Sequence, residues 1–127
     1  MSPRTTMVEM RHQRVLIVED EPVLAFALEE LLVESGFEIA GVAARLETAL
    51  AIIESGVCDA AILDTNLAGI SVDPAASALA VRGLPFIILS GYSPDEQHGA
   101  FTGALRLQKP CRPERLIQAL RSILPAQ

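Results

Sequence analysis

The chain has 127 residues, half of them hydrophobic, and a formal net charge of −6, which fits one domain with a full core and argues against a nucleic-acid phosphate surface. With four Phe, one Tyr and no Trp that core must be aliphatic, and no apolar run approaches the roughly 18 residues that span a bilayer. Cys58 and Cys111 lie far apart in no metal-ligand spacing, as expected for reduced thiols in a cytoplasmic protein.

Residues 1–13 are polar, without the apolar centre of a signal peptide, and are expected to form a flexible N-terminal arm. The run RVLIVE, Arg14–Glu19, is short and β-branched, which predicts a strand buried on both faces. Next comes PVLAFALEELLVESG, a predicted helix with Pro22 in its first turn, Leu24, Leu28, Leu31 and Leu32 on one face, and Gly36 as cap. A second strand, Phe37–Ala44, leads to a second helix, Arg45–Gly56. The third strand, Asp59–Asp64, stops at an acid. After a loop, Ser71 and Asp73 are candidate caps for a helix over Val72–Gly83. The fourth strand, Leu84–Gly91, ends in a hydroxyl, and the polar segment after it allows only a short fourth helix. The fifth strand, Ala104–Pro110, ends at a lysine, and the last helix covers Arg112–Leu124.

Strands alternating with helices predict an α/β fold, a doubly wound parallel sheet of five strands with helices on both faces. Ligands of such sheets bind outside the carboxyl ends of the strands. Those ends carry Glu19, Asp20 and Glu21 on strand 1, Asp64 on strand 3, Ser90 on strand 4 and Lys109 on strand 5. Strand 2 ends in apolar residues and is expected outside, giving the order 2-1-3-4-5. Crowded carboxylates repel unless a cation joins them, and Mg²⁺ prefers oxygen ligands. A lysine and a hydroxyl opposite fit an incoming phosphoryl group, with Asp64 as nucleophile.

The segments VLIVEDEP, AAILDTNLAG, IILSGY and LQKP resemble, in order, the four signature segments of the response-regulator receiver domain, over residues 14–124. The resemblance implies a flavodoxin-like fold and a stand-alone bacterial receiver with no output domain. By the same resemblance, Asp20 is a direct Mg²⁺ ligand and Glu19 acts through water. Asp64 is the phosphoacceptor and a metal ligand, and Asn66 gives its backbone carbonyl to the metal. Ser90 matches the switch hydroxyl and Lys109 the phosphate-binding lysine, with a cis Lys109–Pro110 bond. Tyr92 and Asn66 would flank the phosphoryl group, although Tyr92 also fits a plain surface aromatic. Glu21 belongs to the first helix through its dipole rather than to the metal.

Four departures stand out. Glu19 replaces the usual first aspartate. Ala68 stands where a proline normally follows the acceptor, leaving that loop less restrained. Arg106 holds the position of the usual Tyr or Phe, which puts the aromatic switch in doubt because an arginine is costly to bury. Nineteen positions from Ser90 to Lys109 is a short spacing. The stretch PFIILSGYS also resembles the strand-4 motif of the FATGUY subgroup of mostly single-domain receivers, with Ser90 for Thr.

The expected function is phosphoryl acceptance on Asp64 from a sensor histidine kinase or histidine phosphotransfer protein. Output would pass to a downstream protein partner or along a phosphorelay, with no nucleic acid and no membrane involved. The chain is then no enzyme beyond its own phosphorylation and dephosphorylation. An unphosphorylated pseudo-receiver is the alternative. A haloacid-dehalogenase-type phosphatase is disfavoured, because that class needs an acid where Asn66 stands. His12 and His98 are expected to be exposed and without a role.

Overall fold

The computed structural model describes residues 13–65, 67–91 and 104–124. Asn66, Tyr92, His12, His98, most of the N-terminal arm and the expected short fourth helix lie outside these residues. The elements are β1 (Arg14–Val18), α1 (Pro22–Glu34), β2 (Glu38–Ala43), α2 (Leu46–Ser55), β3 (Ala60–Asp64), α3 (Asp73–Val81), β4 (Phe86–Ser90), β5 (Leu105–Gln108) and α4 (Pro113–Ile123). All four strand pairs are parallel, in the order β2-β1-β3-β4-β5. The doubly wound arrangement expected from the strand pattern is the one found.

Strand alternation divides the interior into two layers. Leu16, Val18, Ala61, Leu63, Phe86 and Ile88 pack with Ala49 and Ile53 of α2 and Ala75, Ala76 and Leu79 of α3. Val15, Ile17, Ala60, Ile62, Ile87 and Leu89 pack with Leu32 of α1 and Leu116, Ile117 and Leu120 of α4. Both faces of β1, β3 and β4 are therefore covered, which is why these strands read as unbroken apolar runs. Truncating a central residue such as fully buried Ile17 to Ala would cost roughly 2–5 kcal/mol.

β2 carries a register shift opposite Val15 and Leu16, leaving Ala40 between the pairs Val15–Ile39 and Leu16–Gly41. Gly41 lies so close to α2 that a Cβ there would come within 2.6 Å of the Ile52 Cδ1 methyl. Helix ends follow the sequence signals in part. Pro22 opens α1, Gly56 closes α2 at φ 81°, and the Ser71 hydroxyl accepts the Asp73 N–H at 3.0 Å.

One expected face is wrong. Leu24 does not share the buried side of α1; it is 41% exposed, and Val23, Phe26 and Val33 are more exposed still. The residues of α1 turned fully inward are Ala25 and Leu32. This helix is apolar nearly all round, so its periodicity carries little information about which side meets the sheet. No helix among the described residues is long and apolar enough to cross a membrane.

Candidate functional site

The carboxyl edge of the sheet is held in register one residue beyond the strands. The Glu19 N–H donates to the Ala43 carbonyl at 3.0 Å, Thr65 N–H to Leu89 at 3.1 Å, and Lys109 N–H to Ser90 at 2.8 Å. Side chains at these positions therefore leave a fixed backbone.

Three side chains at this edge form an acidic cluster. Glu19, Asp20 and Asp64 each offer a carboxylate oxygen, and the three oxygens lie within 4.8 Å of one another. Glu19 and Asp64 are buried and Asp20 half-buried. The Glu19 Oε2 accepts the backbone N–H of Glu21 at 3.1 Å. Burial pushes the Glu19 carboxyl from its ordinary 4.5 to about 7; the Glu21 N–H opposes this, Asp64 adds to it through its charge and a hydrogen bond, and Lys109 also opposes it. Lys109 Nζ sits 3.0 Å from Asp64 Oδ1, with the acid side chain 4% exposed and the lysine 31%. One ammonium thus faces three carboxylates.

The donor set is all oxygen and overcharged, and it fits a hard divalent cation rather than a softer metal. Among the described residues one ammonium meets this cluster, and the Asp64 charge adds to the burial that raises Glu19.

Ser90, fully buried at the end of β4, pairs in register with Gln108, one residue before Lys109. The structure therefore brings Glu19, Asp20, Asp64, Ser90 and Lys109 to one edge. Arg106 lies opposite Ile88 on the strand face away from Leu105 and Leu107, and is half-buried. The Lys109–Pro110 bond is cis.

Three contributions were not foreseen. Glu21 serves the site through its backbone, while its exposed side chain makes no cap bond to α1. Thr65 clamps the end of β3 to β4, its N–H and its hydroxyl (3.4 Å) both donating to the Leu89 carbonyl. A hydroxyl residue directly after Asp64 was the available signal. The loop at Ala68 is a tight turn, with Ala68 at φ 52°, Gly69 at φ 80° and the Ile70 N–H bonded to the Leu67 carbonyl at 2.9 Å. Two positive φ values are the pattern of a type I′ turn, and proline, fixed near −65°, cannot take the first of them. Leu67, 1% exposed, anchors this turn in the core.

Known proteins share this fold. The model of the response regulator receiver domain matches residues 15–121. SdrG from Sphingomonas melonis Fr1 is 38% identical, with a TM-score of 0.76 over 89% of this chain and 97% of that one. The BeF3-activated conformation of SdrG, from Pseudomonas melonis Fr1, is 40% identical, with a TM-score of 0.74 over 88% of this chain and 96% of that one. The transcriptional regulatory protein PdtaR of Mycobacterium tuberculosis is 34% identical over 82 residues, which is 64% of this chain and only 40% of PdtaR. The family match covers every described strand-end residue that meets at the acidic edge, and the chain belongs to the response regulator receiver domain family.

Proposed function

We propose that the chain is a stand-alone cytoplasmic receiver that accepts a phosphoryl group on Asp64 from a histidine kinase or histidine phosphotransfer protein. The observation that carries this reading is the buried Asp64 carboxylate with Lys109 Nζ at 3.0 Å and two further acids beside it. Glu19, Asp20 and Asp64 would hold Mg²⁺, with the Asn66 carbonyl as a further ligand; bound there, the ion neutralises charge on the acids and on an arriving phosphoryl group.

In the transfer, an Asp64 carboxylate oxygen forms the new bond to phosphorus as the donor's P–N bond breaks. The leaving imidazole takes up a proton from solvent. Lys109 moves from Asp64 to a phosphoryl oxygen, spreading the transferred charge. Ser90 donates its hydroxyl to another phosphoryl oxygen, which draws the end of β4 toward the site. The output is then read by a protein partner or passed on in a relay. The SdrG relative, solved in a BeF3-activated conformation, supports an anion-responsive site. The strand-4 resemblance supports placing the chain in the FATGUY subgroup.

Arg106 in the usual aromatic position favours a second reading, a pseudo-receiver that is never phosphorylated. One experiment separates the two. The protein is incubated with Mg²⁺ and acetyl phosphate and its intact mass is measured. A gain of one phosphoryl group, lost in Asp64→Asn and on chelation of Mg²⁺, is expected. No gain together with no Mg²⁺ binding would establish the pseudo-receiver.

A further inference from the structure

Asp64 and Ser90 stand at the ends of neighbouring strands, and the residues next to them in the chain tie them together. Thr65 follows Asp64, and Leu89 precedes Ser90. The Leu89 carbonyl accepts the Thr65 N–H at 3.1 Å and the Thr65 hydroxyl at 3.4 Å; a carbonyl oxygen has two lone pairs and can take both. On the other side, the Ser90 carbonyl accepts the Lys109 N–H at 2.8 Å, and Lys109 Nζ returns to Asp64 Oδ1 at 3.0 Å. Asp64, Thr65, Leu89, Ser90 and Lys109 therefore lie on one closed circuit of covalent and hydrogen bonds.

The Leu89 carbonyl shares a rigid planar peptide with the Ser90 N–H. Whatever orients that carbonyl also orients the backbone from which the fully buried Ser90 side chain leaves. The Thr65 N–H bond falls one residue beyond β3, at the end of the β3–β4 ladder, where pairing opens most easily. An apolar residue at position 65 would supply that backbone bond alone. The hydroxyl adds a second donor, and because Thr65 is half-buried water competes with it less than at the surface. At 3.4 Å the hydroxyl bond is long, so it restricts the carbonyl without locking it and leaves the end of β4 able to move toward the site. The Lys109–Asp64 contact is the part of the circuit given up when the lysine turns to a phosphoryl oxygen. The Thr65 bonds then remain as the direct link from the acceptor residue to Ser90.

We propose that Thr65 is a positioning residue for phosphoryl transfer: its hydroxyl holds the Leu89–Ser90 peptide in the orientation from which the Ser90 hydroxyl reaches a phosphoryl oxygen on Asp64. This rests on the reading of Asp64 as the phosphoacceptor. Thr65 acts only through Ser90, and its hydroxyl keeps its proton throughout the transfer. The gain comes from orientation fixed before the reaction begins.

The test follows the intact mass of the full chain over time after acetyl phosphate and Mg²⁺ are added. Thr65→Val, which keeps the side-chain shape and removes the hydroxyl, is expected to slow phosphoryl uptake about fivefold. Thr65→Ala, which brings no extra methyl, is expected to lose as much. Thr65→Ser, which keeps the donor, is expected to restore most of the parent rate. In a Ser90→Ala background, itself slower, Thr65→Val is expected to cost nothing further, because the effect runs through Ser90. Parent-like uptake in Thr65→Val would overturn the proposal. So would an equal loss with and without the Ser90 hydroxyl, which would make Thr65 a fastener of β3 to β4 and nothing more. A parent chain that takes up no phosphoryl group would instead overturn the reading of Asp64, and the proposal with it.

Discussion

At the amino end of β3, Asp59 meets Arg14 with both side chains more than a third exposed; at the carboxyl end, Asp64 meets Lys109 with the acid almost sealed from water. The first pair is self-sufficient. The Arg14 N–H donates to Asp59 Oδ2 at 2.8 Å, the Asp59 N–H donates back to the Arg14 carbonyl at 2.7 Å, and the guanidinium adds a longer bond at 3.4 Å. Charge and hydrogen bonds balance locally, and the result is a clamp between β1 and β3. The second pair is embedded in surplus negative charge from Glu19 and Asp20. Its balance requires something from outside. An acid paired with a base thus serves cohesion at one edge and, on the proposed reading, phosphoryl transfer at the other, and the difference lies in burial and in the neighbours.

That contrast can be tested from its strongest element downward. In metal-free protein the folded state keeps a proton on Glu19 up to about pH 7, whereas an ordinary carboxyl loses it near 4.5. Stability should therefore fall as pH rises from about 4.5 to about 7 and level off beyond, by up to about 3 kcal/mol. Denaturant melts across that range check this, and Glu19→Gln should flatten the profile. Saturating Mg²⁺ should restore stability above pH 7, because binding favours the ionised acids.

Next, Lys109→Met should slow phosphoryl uptake from acetyl phosphate by about a hundredfold, while Asp59→Ala leaves the uptake rate unchanged. Equal losses in both would erase the distinction between the two ends. Asp59→Ala should instead lower unfolding stability by about 1–2 kcal/mol, through the lost amide bond and ion pair. The smallest effect concerns the turn behind Asp64. Ala68→Gly should gain up to about 1 kcal/mol by relieving the left-handed conformation, while Ala68→Pro should destabilise the turn; thermal melts read both.

Much of the acidic edge was legible in the sequence, because β1, β3 and β4 are compact apolar runs that stop at a polar residue and β5 stops at a lysine. Val18 gives way to Glu19, Leu63 to Asp64, Leu89 to Ser90, and Gln108 to Lys109, and a parallel sheet necessarily brings such ends together. The sheet order was legible for the same reason, since β2 alone ends without a polar group. What escaped were features that depend on pairing across the sheet. Asp59 reads as the first residue of a strand, and nothing near it indicates that Arg14 lies alongside. The extra residue in β2 is set by register with β1. The burial of α1 was obscured because Val23, Leu24 and Phe26 are as apolar as the residues that do face inward. Ala68 reads as a missing proline, whereas Ala-Gly in sequence was the cue for a turn with two positive φ values.

The bond from the Lys109 N–H to the Ser90 carbonyl has a consequence in time. With its backbone stitched to β4, the lysine can exchange Asp64 for a phosphoryl oxygen by rotating its own side chain, a motion of picoseconds to nanoseconds. Any rearrangement of the backbone at the end of β4 belongs to slower, collective motion. On the proposed reading, charge on a phosphorylated Asp64 would therefore be neutralised before any collective change of the surface, so that the chemical event and its signal would be separate steps with separate clocks.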